Sequence, residues 1–146
     1  ASDPVVQRLC TVPGVGPVTA VAFVAALDDA RRFDSARQVR SYLGLVPSES
    51  SSGERQHKGA ITKRGNPRMR WLLVEAAWSV VRSPRAELAP LRDWALRIAA
   101  RRGRRVAVVA MARRLAGILY AMWRDERDFG ATRERRVAPS RTVVAA

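Results

Sequence analysis

The sequence contains one cysteine, Cys10, one histidine, His57, and no uninterrupted apolar run near the length that a membrane-crossing helix needs. A lone cysteine excludes an intrachain disulfide and makes a cytosolic setting natural. Cys10 sits between Leu9 and Thr11 ahead of a turn, where it reads as a small core residue. The most apolar stretch, Val106 to Trp123, is broken by Arg113 and Arg114. No signal-peptide pattern opens the chain, which begins with Ala rather than Met and is expected to be a fragment of something longer. There is no Ser-His-Asp order, no nucleophile elbow and no plausible cluster of metal ligands. Internal repeats and convincing strands are also missing.

What remains suffices for one ordinary domain with a real core, because the 146 residues are 47% hydrophobic although 27% are charged. Lys and Arg number 27 against 13 Asp and Glu, a formal net charge of +14 that points to a polyanionic partner. The excess is not spread evenly. Residues 1 to 53 hold five basic and five acidic side chains, whereas residues 54 to 146 hold 22 and 8. Nucleic acid is the leading partner for such a field. An anionic membrane surface is the competitor, disfavoured by the broken apolar stretch.

The basic region begins where a serine cluster ends, in Pro47 to Arg70, PSESSSGERQHKGAITKRGNPRMR. Ser50, Ser51, Ser52 and Gly53 favour turns, so hydroxyl groups should be displayed on exposed backbone. Asn66-Pro67 reads as a helix N-cap followed by proline at the first helical position. Amide groups at that helix start, beside Lys58, Lys63, Arg64, Arg68 and Arg70, suit a phosphate. Two readings of the serines stand side by side. Ser-Ser-Ser-Gly is either a flexible surface loop or the source of a hydroxyl that attacks a phosphodiester among stabilising cations.

Taken in order, Asp3-Pro4 should cap a first helix running to roughly Thr11. Val12-Pro13-Gly14-Val15-Gly16-Pro17 then leads into a second helix ending near Leu27, the outline of a helix-hairpin-helix. In that motif Gly14 and Gly16 allow φ above zero and close approach to a phosphate, in contacts blind to base sequence. Asp28 and Asp29 read as a solvated C-terminal turn rather than metal ligands. A third helix, about Ser35 to Leu43, should be capped by Asp34 or Ser35 and stopped by Gly44. Further helices are expected over about Asn66 to Arg82, Leu88 to Arg102 and Arg104 to Arg124, the last with an apolar stripe including Val108, Val109, Ala112, Leu115, Leu119 and Trp123. Trp71, Trp78, Trp94 and Trp123 all fall in helices, where packing is favoured over base stacking. The tail, 130–146, with Arg133, Arg135, Arg136 and Arg141, is expected to be disordered.

In order and spacing, VPGVGPVTA, RFDSARQVRSYLGLVPS, SSG, KGAITKRGNPRMRWLLVEAAW and RRGRRVAVVAMARRLAGILYAMWRD resemble the C-terminal domain of the DEDD-type insertion-sequence transposases, the bridge-RNA-guided recombinases of the IS-one-ten family. The resemblance covers roughly Leu9 to Asp128. It implies a two-part enzyme whose RuvC-like N-terminal domain carries the DEDD carboxylates and magnesium, and that half is absent from this chain. It also implies that the C-terminal domain, here 1–129, supplies a catalytic serine that forms a covalent phosphoserine link to DNA during strand exchange. By position that serine is Ser52, with Ser51 as runner-up. His57, five residues beyond Ser52, is a weaker candidate for a general base. Thr62 and Met69 stand where the family usually has serine and leucine.

The expectation is therefore an all-α domain of five or six helices with one long irregular loop, belonging to a bacterial, cytoplasmic, nucleoid-associated transposase. DNA-binding residues would be Gly14, Gly16, Lys58, Lys63, Arg64, Asn66, Arg68 and Arg70. This domain needs no cofactor of its own, and the fragment alone is expected to be inactive. DNA, a guide RNA and further copies of the full-length chain are the expected partners, and a membrane is not. The competing reading is a non-catalytic helix-hairpin-helix module that binds DNA or structured RNA.

Overall fold

The computed structural model describes residues 3–45 and 66–130, and Ser50, Ser51, Ser52, His57, Lys58, Lys63 and Arg64 lie outside the described residues, as does the tail from 131. The described residues are helical without strands: α1 (Pro4–Leu9), α2 (Pro17–Leu27), α3 (Ala36–Tyr42), α4 (Pro67–Arg82), α5 (Ala89–Arg102) and α6 (Arg104–Asp125). Short 3₁₀ turns, Ala30–Arg32 and Ala86–Leu88, precede α3 and α5.

Local chemistry sets the boundaries. The Asp3 carboxylate accepts from the Val5 and Val6 amides at 2.8 and 3.4 Å, and Pro4 needs no partner at the first helical position. α1 stops at Leu9, short of the expected Thr11, because Cys10 is its C-cap and the chain turns there. Cys10 is half-buried and packs on the core. α3 is capped by Ser35, whose Oγ accepts from the Gln38 amide at 3.3 Å. The Gln38 side chain in turn accepts from the Asp34 amide at 2.7 Å, a variant of the reciprocal capping box. Gly44, at φ 75°, ends α3 and lets the Leu45 amide reach back to the Arg40 carbonyl at 2.8 Å.

α6 is the element the others pack around. It touches α1, α3, α4 and α5 and buries Met111, Leu115, Leu119 and Tyr120 completely or nearly so. The opposing surfaces come from Leu9, Phe23, Val39, Met69, Leu73 and Ala77. Tyr120 carries a polar tip into this core and satisfies it by donating to the Phe33 carbonyl at 3.0 Å. By length and composition α6 passes as a membrane-crossing helix, which corrects the expectation that Arg113 and Arg114 rule this out; here 56% of its most apolar window is buried inside the fold.

Two further expectations need correction. Val109 was placed on the apolar stripe of α6, yet it is 42% exposed, as Val108 and Ala112 turn toward the core and leave it outside. Trp78, Trp94 and Trp123 pack against the core, but Trp71 is 59% exposed. The buried face of α4 comprises Met69, Leu72, Leu73, Ala76, Ala77 and Val80, which points position 71 outward.

Candidate nucleic-acid interface

The turn between α1 and α2 places its two glycines differently. Gly14 lies at φ 98°, and a Cβ there would meet Ser79 Cβ at 3.4 Å and Val80 Cγ2 at 3.5 Å on α4. Its absent side chain lets the turn sit on α4. Gly16 departs from the expectation of positive φ: it is extended, at φ −95° and ψ −179°, and caps α2. Nothing lies within 4 Å of a Cβ built on it. Pro17 has no amide, and Ala20 donates to the Gly16 carbonyl at 3.0 Å, so Val18 and Thr19 hold the first-turn amides, with no side-chain cap on them. Val18 stands 61% exposed beside them.

The start of α4 is built differently although it carries the same proline. Asn66 Oδ1 accepts from the Met69 amide at 3.0 Å, and the Arg70 amide goes to the Asn66 carbonyl at 3.0 Å. Pro67 has no amide to give, which leaves that of Arg68 for an anion at this helix end. Asn66 and Arg68 are exposed. Arg70 is half-buried, and its guanidinium reaches the Leu43 carbonyl at 3.4 Å. That contact ties the end of α3 to the start of α4, the two described elements that border residues 46–65. Trp71, next to Arg70 in the chain, is 59% exposed.

Asp28 and Asp29 form the turn that follows α2. Asp28 is the exposed C-cap of α2 at φ 70°. Asp29 accepts from the Arg31 amide at 2.9 Å and pairs with the Arg31 guanidinium at 2.9 Å. These bonds hold its carboxyl below the usual carboxylate range. Among the described residues, no group of three or more His, Cys, Asp or Glu comes together.

A second basic feature, not singled out from the sequence, lies between α3, α5 and α6. α3, α5 and α6 enclose a groove of about 720 Å³ that includes Arg40, Trp94, Arg113, Arg114 and Gly117. A Cβ on Gly117 would stand 2.9 Å from Arg40 Nη1, so the glycine makes room for that guanidinium across α6. Burial and the neighbouring Arg40 charge pull Arg113 below the usual arginine range. Arg114 lies over the Trp94 ring, 4.6 Å from its centroid. The sequence signal was present as Ala110, Arg113, Arg114, Gly117, Ala121 and Arg124, a stripe at helical spacing in which small residues alternate with arginines.

The model of the transposase family described as IS116/IS110/IS902 matches residues 6–90. Curated relatives agree. The protein named "Probable family 20 transposase" in Pseudomonas aeruginosa is 40% identical over 120 residues, covering 82% of this chain and 36% of its own length. The transposase for insertion sequence element IS1111A of Coxiella burnetii is 35% identical, with 80% of this chain and 32% of the relative covered. For the transposase of IS1328 from Yersinia enterocolitica the identity is 32%, and the shares are 84% and 36%. The chain thus spans about a third of the length of these relatives. No solved structure matches it.

Proposed function

The chain belongs to the IS116/IS110/IS902 family of transposases, and from that premise we propose that it is the C-terminal, serine-bearing and DNA-binding domain of a longer transposase. The observation that carries this reading is the family match over 6–90, which spans both the α1–α2 turn and the serine segment. Its domain corresponds to 1–129, with a basic tail at 130–146. In the full-length enzyme a RuvC-like domain would hold magnesium, and guide RNA and further copies of the chain would join DNA as partners in the bacterial cytoplasm.

Ser52 is the proposed nucleophile, with Ser51 second. Its Oγ forms a bond to phosphorus as one ester P–O bond of the strand breaks, and the hydroxyl proton passes to a base. The resulting phosphoserine keeps the ester available for attack by a hydroxyl of the incoming strand, which restores the serine without a net input of energy. Lys58, Lys63, Arg64, Arg68 and Arg70 supply positive charge where the phosphoryl oxygens gain negative charge. Gly14 and Gly16 shape a helix-hairpin-helix anchor whose donors are the uncapped Val18 and Thr19 amides. The anchor is supported by the absence of a side-chain cap on α2, and contacts of this kind would be indifferent to base identity.

The test uses full-length enzyme, guide RNA and a suicide DNA substrate, followed by mass spectrometry of the peptide from Pro47 to Lys58. A nucleotide adduct on Ser52, and loss of strand exchange with retained DNA binding in Ser52→Ala, are the expected results. Cleavage without any serine adduct assigns the chemistry to the metal site of the other domain. The runner-up, a non-catalytic helix-hairpin-helix module for DNA or structured RNA, is favoured if Ser50, Ser51 and Ser52 can all be replaced without loss of function.

A further inference from the structure

We infer that the groove between α3, α5 and α6 is a second phosphodiester-binding site, with Arg40 and Arg113 as its anion donors and the stacked Arg114–Trp94 pair as a platform beside them. This assignment stands on the groove alone. It involves neither the α1–α2 turn nor the serine segment and survives the failure of either.

Arg40 and Arg113 are both half-buried and line the same groove, and two like charges there are an unfavourable arrangement unless an anion completes it. Of the other charged residues at the groove, Arg114 lies over Trp94, and Glu87 and Arg124 are engaged in ion pairs. Glu87 is bound to Arg85 at 2.9 Å and Arg124 to Asp125 at 2.9 Å. The fold also makes room for the arrangement: Arg40 Nη1 lies 2.9 Å from where a Cβ on Gly117 would stand, so a side chain there would displace the guanidinium from this position. A folded protein that needed only packing here would fill this space with carbon.

Several features favour a nucleic-acid strand over an acidic peptide. A guanidinium takes two phosphate oxygens in its fork and offers a flat face to a base. Arg114 lies over the Trp94 ring, 4.6 Å from its centroid, which holds a third cation and an aromatic surface beside the anion donors. Leu91 and Ile118 add an apolar wall, which suits the faces of unpaired bases. The chain's excess of positive charge resides in residues 54 to 146, which supply α5 and α6.

The experiment measures binding of fluorescent dT20 and rU20 to the chain by anisotropy across a salt series, for wild type, Arg40→Gln/Arg113→Gln and Arg40→Lys/Arg113→Lys. The glutamine variant is expected to bind about tenfold more weakly, the scale of a lost charge-assisted hydrogen bond. Its slope of log affinity against log salt should fall by about 1.4, or two contacts at about 0.7 each. The lysine variant retains most of the slope. An uncharged methylphosphonate dT20 should no longer distinguish wild type from the glutamine variant. Preference between dT20 and rU20 identifies the strand that the groove takes. Unchanged affinity and slope in the glutamine variant overturn the proposal, as does polyglutamate displacing dT20 from wild type but not from that variant. Thermal unfolding separates folding from binding: relief of repulsion predicts an unfolding temperature at or above that of wild type. A marked drop in that temperature, with the lysine variant binding as weakly, assigns the arginines to structure and also overturns the proposal.

Discussion

Gly14 and Gly16 stand two residues apart in one turn, and different constraints act on them. Gly14 occupies a φ of 98° and lies against Ser79 and Val80. Gly14→Ala should therefore destabilise the chain by about 1–2 kcal/mol, the cost of a Cβ in the left-handed half of the backbone map. Gly16 is extended and faces open space. Gly16→Ser should raise stability by a few tenths of a kcal/mol, because a serine oxygen can cap the Val18 or Thr19 amide. The same oxygen competes with phosphate for that amide. Urea unfolding should thus show a more stable protein while anisotropy shows weaker DNA binding. Equal affinity in wild type and Gly16→Ser would remove the α2 amides from the interface. The role of Gly16 at a helix start was legible from its place before Pro17, but its φ was not, since glycine itself permits either sign.

Three helices begin on a proline, and of these α2 and α4 end up with different chemistry at that end. At α4 the Asn66 side chain takes the Met69 amide at 3.0 Å. Asn66→Ala should cost about 1 kcal/mol, read as a shift in the urea midpoint, and Asn66→Ser should recover most of it. If Asn66→Ala were neutral, the cap would contribute nothing, and Arg70 bonded to Leu43 would be what holds this helix end. At α2 no side chain takes the corresponding role. The extents of α2, α4, α5 and α6 were readable because hydrophobic spacing, proline and glycine agree along each of them. The exposed Trp71 was misread because helical membership does not reveal which face turns inward unless the neighbouring positions are counted.

At the scale of the whole molecule, α6 passes through the middle of the packing and its surfaces divide by function. One side carries Met111, Leu115 and Leu119 into the core. Leu119→Ala should destabilise by about 2–5 kcal/mol, measurable by thermal unfolding, since several elements pack around α6 and cannot all close on the cavity. A cost under 1 kcal/mol would show that the core collapses around it. Another side carries the arginines of the groove. A single helix thus supplies the centre of the fold and one wall of a charged cleft, so the interruption of its apolar stretch by Arg113 and Arg114 is part of its design.

The all-α class, the helix caps at Asp3 and Asn66, and the uneven distribution of charge were all determined by the sequence, because each depends on residues near one another along the chain. Family membership was likewise written in ordered local motifs. Only the tertiary structure decided that Gly14 rests on α4, that Arg70 joins the ends of α3 and α4, and that Arg40 lies against Gly117 of α6. These are contacts between residues far apart in the chain, formed when burial of the α6 core fixes how the helices cross.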